Sequence, residues 1–151
     1  MKGKLLSLCL VGFVGILMVS CKNEVEQLSG EYSYKISGSV VVDSVEARLN
    51  NENGVLRIIA KDKSDALLTF NMLGGDVYTT TAAISNKVME LTPFERIIVH
   101  NAKDYKISVS GQGDVVDENI ILSLQYNGMS MDEDSVSLET KEIHFVGTKN
   151  K

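Results

Sequence analysis

The chain of 151 residues has no tryptophan, a single proline, two cysteines and two histidines, and aromatic residues make up only 6% of it. Each scarcity closes off a class. One proline and 12 glycines without a repeat exclude collagen-like and low-complexity chains. Both cysteines, Cys9 and Cys21, fall near the N-terminus, so the remainder has no thiol for a disulfide or a cysteine-based metal centre. With His100 and His144 as the only histidines, no convergent metal-ligand set is visible. Asp114, Asp117 and Asn119 depart from the alternating oxygen spacing of an EF-hand and read as a solvated hairpin tip, as do Asp132, Glu133 and Asp134. No nucleophile, base and orienting group can be named together, so the expectation is a non-enzymatic protein without metal or cofactor. The few aromatics also argue against a sugar-binding platform; Tyr32, Tyr34, Tyr78, Tyr105 and Tyr126 alternate with polar residues and are expected in the core. Basic residues are in deficit too, 15 against 20 acidic, for a net charge of −5. That balance repels phosphates and excludes nucleic acid as a partner.

What the chain does have begins at its N-terminus. Lys2 and Lys4 precede an apolar run from Leu5 to Val19, and Met18-Val19-Ser20 then leads into Cys21. Charge, apolar stretch and small residues in that order predict a secretory signal peptide over residues 1–20. A spanning helix needs roughly 20 apolar residues, more than this run supplies, and no basic stop-transfer cluster follows it. The segment before Cys21 resembles the lipobox of bacterial lipoproteins, with Met18 where that family usually carries Leu. The resemblance implies that Cys21 bears palmitate-type acyl chains and becomes the first mature residue. Each buried methylene adds about 0.8 kcal/mol of membrane attachment, so several chains would tether the domain firmly to a bilayer. Without Lys2 and Lys4 the 15 basic residues fall to 13 against 20 acidic ones, a net charge of −7. Residues 21–28 read as the acylated cysteine and a polar tether. Lys22 followed by acids resembles the export signal of surface lipoproteins in Bacteroidota-type bacteria, interrupted by Asn23.

From Ser29 onward the period is two. Tyr32, Tyr34 and Ile36 alternate with Ser33, Lys35 and Ser37, and the same alternation holds at Leu56–Ile58, Leu68–Met72, Tyr105–Val109, Ile120–Tyr126 and Ile143–Phe145. Such runs mark strands with one buried and one wet face. His144, between Ile143 and Phe145, is expected on the wet face. Turn residues are read at Asn51–Gly54, Leu73–Asp76, Gly111–Asp114 and Asn127-Gly128. Ser85–Leu91 lacks the period and reads as a loop or short helix over 85–92, and Thr92-Pro93-Phe94-Glu95 has the form of a capping box. Against that, the β-branched run Ile97–Val99 favours a strand. Eight to ten short strands with turns at short spacing predict an all-β fold over residues 29–151, a barrel or a sandwich.

The lipobox, the short acidic tether, the opening Leu28-Ser29-Gly30-Glu31-Tyr32 and the late strands Tyr105–Gly111 and Asn119–Tyr126 together resemble the calycin-like (lipocalin-like) lipoprotein domains of Bacteroidota. The resemblance spans roughly residues 28–147 and implies an antiparallel up-and-down barrel of about eight strands, with a β-sandwich as the alternative and no site residues carried over. The Gly-x-Trp of classical lipocalins is absent, with Gly30-Glu31-Tyr32 in a similar place. Asp43-Ser44-Val45 and Asp134-Ser135-Val136 resemble the O-glycosylation acceptor of such bacteria, which makes Ser44 and Ser135 candidate modification sites on exposure.

Two functions are compatible with these readings. One is a membrane-anchored barrel, attached to the bilayer through acylated Cys21, that holds a small apolar or amphipathic ligand. Thr79, Thr81 and Ala83, alternating on one strand, read as room near that wall. The other is an accessory lipoprotein of an outer-membrane complex, with a filled barrel and a protein partner. Either places the chain at the outer membrane, on its periplasmic side or at the cell surface.

Overall fold

The computed structural model describes residues 22–132 and 135–151; Cys21 and the signal-peptide reading, with Glu133 and Asp134, lie outside the described residues. The elements in chain order are α1 (Glu24–Leu28), β1 (Gly30–Val42), β2 (Val45–Arg48), β3 (Glu52–Ala60), β4 (Asp65–Met72), β5 (Val77–Ser85), β6 (Val88–His100), β7 (Lys103–Val116), β8 (Asn119–Ser130) and β9 (Ser137–Lys149). Sequential strands from β3 to β9 pair antiparallel, β1 pairs antiparallel with both β2 and β3, and β1 also pairs with β9 from Tyr32↔Lys149 to Val42↔Leu138, which closes the sheet on itself. Both β2 and β3 lie along the other edge of β1, one after the other: Ser39 faces Arg48, and Ile36 faces Glu52. The result is a closed antiparallel barrel of eight strands with β2 as an extra strand in line with β3. Closure excludes the β-sandwich alternative.

The period-two runs set the inside of this barrel. Tyr32, Tyr34, Ile36, Leu56, Ile58, Leu68, Ile107, Ile120, Leu122, Tyr126, Ile143 and Phe145 are buried in one core, and the residues between them face outward. A fully buried side chain of this size contributes about 1.5–3 kcal/mol, and no disulfide among residues 22–151 supplements it. Both described termini, the β3–β4 loop and the β5–β6 and β7–β8 turns share one end, here the proximal end. The β1–β2, β4–β5, β6–β7 and β8–β9 connections form the distal end.

Four local readings are corrected. Ser85–Leu91 is neither loop nor helix: Asn86 and Lys87 form a two-residue turn at φ 52° and 62°, and β6 begins at Val88. Thr92–Glu95 is not a capping box but part of β6, where the register against β7 slips between Leu91 and Phe94; Pro93 sits at that irregularity, where its missing N–H costs no ladder bond. Three of the four glycine-marked turns are strand interior: Gly54 lies in β3, Gly111 and Gly113 in β7, Gly128 in β8. A Cβ on Gly128 would lie 2.1 Å from the Lys106 carbonyl oxygen, so glycine there serves close strand approach. The actual tight turns use Asp43-Ser44, Asn86-Lys87 and Asn101-Ala102 in left-handed backbone. Finally, Thr79, Thr81 and Ala83 face outward; Thr80, Ala82 and Ile84 are the inward residues of β5.

Residues 24–28 of the expected tether form α1. Asn23 caps it, accepting from Glu26 N while the Glu26 carboxylate accepts from Asn23 N, a capping box that satisfies end groups a five-residue helix would otherwise leave open. Val25 and Leu28 are buried against the barrel, and the Lys87 N–H donates to Glu24 Oε1. Ser29 Oγ accepts from Ala60 N at 3.1 Å, and Tyr32 Oη donates to the Leu28 carbonyl at 2.8 Å. The helix is packed on the proximal end rather than extended into solvent.

Candidate functional site

The inner face of β6 carries Phe94, Arg96, Ile98 and His100, an unusual set because its outer face carries Ile97 and Val99. Arg96 is 6% exposed. Its guanidinium pairs with Glu52 of β3. Since β4 and β5 separate those strands in the sheet, the pair crosses the lumen. Arg96 Cζ lies 5.4 Å from the Tyr78 ring centroid and 5.5 Å from that of Tyr126, and Nη1 donates to Met72 Sδ at 3.5 Å. Burial pulls the Arg96 pKa down, but Tyr126 and Glu52 outweigh it and the net direction is up, so the charge stays. Burial raises the Tyr126 phenol, with Arg96 opposing it, and pushes Tyr34 up to about 12, with Glu52 adding to the shift.

Below the pair lies an aromatic floor. Tyr34 stacks on Phe145 at 5.1 Å, Phe70 stacks on Phe94 at 5.9 Å, and Tyr34 meets Phe70 edge-on at 5.8 Å. Arg96 Nε, Glu52 Oε2, Tyr126 Oη and His100 Nε2 are buried without a hydrogen-bond partner. The cavity among Tyr34, Phe70, Phe94, Arg96 and Tyr126 has a volume of about 10 Å3. That is space for about one water molecule, whereas small-molecule pockets run to roughly 300–1,000 Å3. At this level the lumen is filled by its own side chains.

A second feature lies on the outside of the same residues. The β5–β6 ladder runs only from Ala82↔Leu91 to Ser85↔Val88; toward the distal end the strands part. Side chains bridge the opening: Thr80 Oγ1 donates to the Thr92 carbonyl at 2.7 Å, Thr81 and Thr92 hydroxyls lie 2.8 Å apart, and Tyr78 Oη donates to the Ile97 carbonyl at 3.3 Å. Outside this seam is an open groove of about 590 Å3, floored by Tyr78 and Arg96 and walled by Ile97 and Val99, with Asp76 and Asp104 at its rim.

The residues singled out from the sequence are dispersed. Cys21 is outside the described residues. Ser44 and Ser135 are both exposed at the distal end, the first in the β1–β2 turn, the second just before β9. His144 faces outward, 3.0 Å from Glu142 Oε1, and His100 is buried at the end of β6 beside Tyr105. Asp114 points outward from β7, Asp117 is in the β7–β8 turn and Asn119 opens β8. Among the described residues no three His, Cys, Asp or Glu side chains are grouped to hold a metal ion. Arg96 and Glu52 belong to no sequence motif; the one signal in the sequence is an arginine in phase with Phe94 and Ile98.

No family model and no curated protein matches the chain. Solved structures similar to the chain in backbone alone include the following two. EF1p2_mFAP2b, in a structure bound to DFHBI, has a TM-score of 0.49 at 10% identity, covering 83% of this chain and 97% of its own. A redesigned β-barrel, b11L5F_LGL, has a TM-score of 0.39 at 9% identity, covering 84% and 95%. Both similarities are too low to speak to function, and the architecture of this chain rests on its own strand pairing.

Proposed function

We propose that the chain is a non-enzymatic lipoprotein, anchored in the outer membrane through acylated Cys21, whose filled barrel acts through its outer surface as an interaction module. The observation that carries this reading is the interior: a cavity of about 10 Å3 holds no ligand larger than water. The apolar surface supports it as well. The most exposed large hydrophobics are Leu73 at 81%, Val45 at 66% and Val99 at 64%, all toward the distal end, opposite the end from which residue 22 leads back to Cys21. Two measurements test the parts separately. Cys21→Ser should move the protein from the membrane to the soluble fraction, and retention in the membrane would defeat the anchor. Titration of the purified protein with oleate should show no saturable binding, and one-to-one binding would defeat the filled barrel.

One observation favours a second reading, a barrel that admits a small amphipathic ligand. Arg96 keeps Nε free of any partner beside the likewise unpartnered Tyr126 hydroxyl, so an acidic head group would find donors there once Tyr78 and Phe94 moved aside. The oleate titration decides between the two.

A further inference from the structure

We propose that the open edge of β6 at the seam, residues 94–100, is a docking site for an extended, basic peptide segment of a partner protein, which adds to the barrel as a strand. The proposal rests on the reading that this protein works through its outer surface, and names where and on what. Its first support is the interrupted ladder. β6 pairs with β7 from Val88 to Leu91 and again from Phe94 to His100, but its pairing with β5 stops at Leu91. The Ile97 carbonyl accepts from Tyr78 across the seam, so it points away from β7. In an extended strand the N–H and C=O of one residue share an edge, so the backbone groups of Glu95, Ile97 and Val99 all face the seam. An unsatisfied strand edge is the template that strand addition uses. The 3.3 Å phenol contact at Ile97 is a long bond that an incoming peptide N–H can replace.

The second support is the surface beside that edge. Ile97 is 47% exposed and Val99 64%, and Val77 across the seam is 58% exposed. Ile97 and Val99 line the groove of about 590 Å3 and give alternate side chains of an added strand an apolar surface. Charge sets the partner. Lys106 is held by Glu95 at 2.8 Å and Arg96 by Glu52, so Asp76 and Asp104 are the groove-lining charges without an ion pair among the described residues. A segment alternating Lys or Arg with β-branched residues matches both features; an acidic one is repelled.

The test uses the full lipidated protein in nonionic detergent and two probes, acetyl-Lys-Val-Lys-Val-Lys-Val-amide and its Glu-for-Lys counterpart, followed by calorimetry and by backbone amide shifts. The basic peptide should bind saturably, shift the amides of Glu95, Ile97 and Val99, and weaken as salt is raised. Ile97→Pro removes an edge N–H that the barrel does not use, and should weaken binding at least tenfold with the fold intact. Asp76→Asn with Asp104→Asn should weaken it comparably and does not depend on the proline variant folding. Absence of binding, equal binding of the acidic peptide, or amide shifts confined to another face would each overturn the proposal. None of these results bears on the Cys21→Ser fractionation or the oleate titration, so failure here and failure of the underlying reading are separable.

Discussion

Arg96 brings a charge into a lumen otherwise built from aromatic and aliphatic side chains, and Glu52 is what makes that tolerable. Removing one member of a buried pair is expensive because the other is left desolvated without a counter-charge. Arg96→Met should therefore lower stability by about 3 kcal/mol in urea denaturation, less if the Glu52 side chain, 20% exposed, turns toward water. Arg96→Met combined with Glu52→Leu should return to within about 1 kcal/mol of the parent, since an apolar replacement of the whole pair is close to neutral. A double variant as unstable as the single one would show that the pair's geometry, not its charge, matters. The buried tyrosines make a second prediction. Burial, then Glu118, pushes Tyr32 up to about 12, and burial, then Glu52, does the same for Tyr34. An unfolded phenol ionises near pH 10 while the folded one keeps its proton, so this contribution is fully present below pH 10. It is lost as pH rises from 10 through about 12, at roughly 2 kcal/mol for each tyrosine. Urea midpoints should fall steeply over that interval; a flat profile would contradict the burial of these hydroxyls.

At the level of elements, two places carry more than their length implies. α1 is too short to be stable alone and is held by Val25, Leu28 and its capping box, so Val25→Ala should cost about 2 kcal/mol and expose the Lys87 amide to hydrogen exchange. Gly38 marks where β1 changes partner from β3 to β2. Its φ is +148°, and a Cβ there would lie 1.9 Å from the Glu142 carbonyl oxygen. Gly38→Ala should lose about 3 kcal/mol or more by thermal unfolding, and a near-neutral result would mean that β1 and β9 are not apposed as described. These elements also mark the limits of what the sequence makes legible. Strands with a strict period, such as Ile120–Tyr126, could be read directly because each side chain reports its face. The β5–β6 hairpin could not, since Asn86-Lys87 adopts left-handed backbone without a glycine and Thr92-Pro93 interrupts the alternation. Glycine misled for the opposite reason: at Gly54, Gly111, Gly113 and Gly128 it relieves crowding inside strands. The capping pattern Asn23…Glu26 was present in the sequence, but only three-dimensional packing reveals that Val25 and Leu28 have a core to join. Arg96 was obscured because β6 inverts the usual order, with isoleucine and valine outside and arginine and histidine inside.

For the molecule as a whole, the closure of β1 on β9 and the small cavity beside Arg96 are the features on which the proposed function rests. A closed barrel leaves few free edges, so the seam between β5 and β6 and the apolar distal rim are where its surface departs from a self-sufficient fold. The anchor, at the opposite end, would direct that rim away from the bilayer. The proposed strand addition at the seam and the proposed attachment at Cys21 would then be independent properties of one body. The central claim is that the barrel carries no cargo, and native mass spectrometry of the lipidated protein gently extracted from its own membrane tests it most directly. The account predicts the mass of the mature chain with its acyl chains and any glycan at Ser44 or Ser135, and no additional non-covalent component that survives desolvation and leaves on activation. A stoichiometric small molecule released on activation would contradict it.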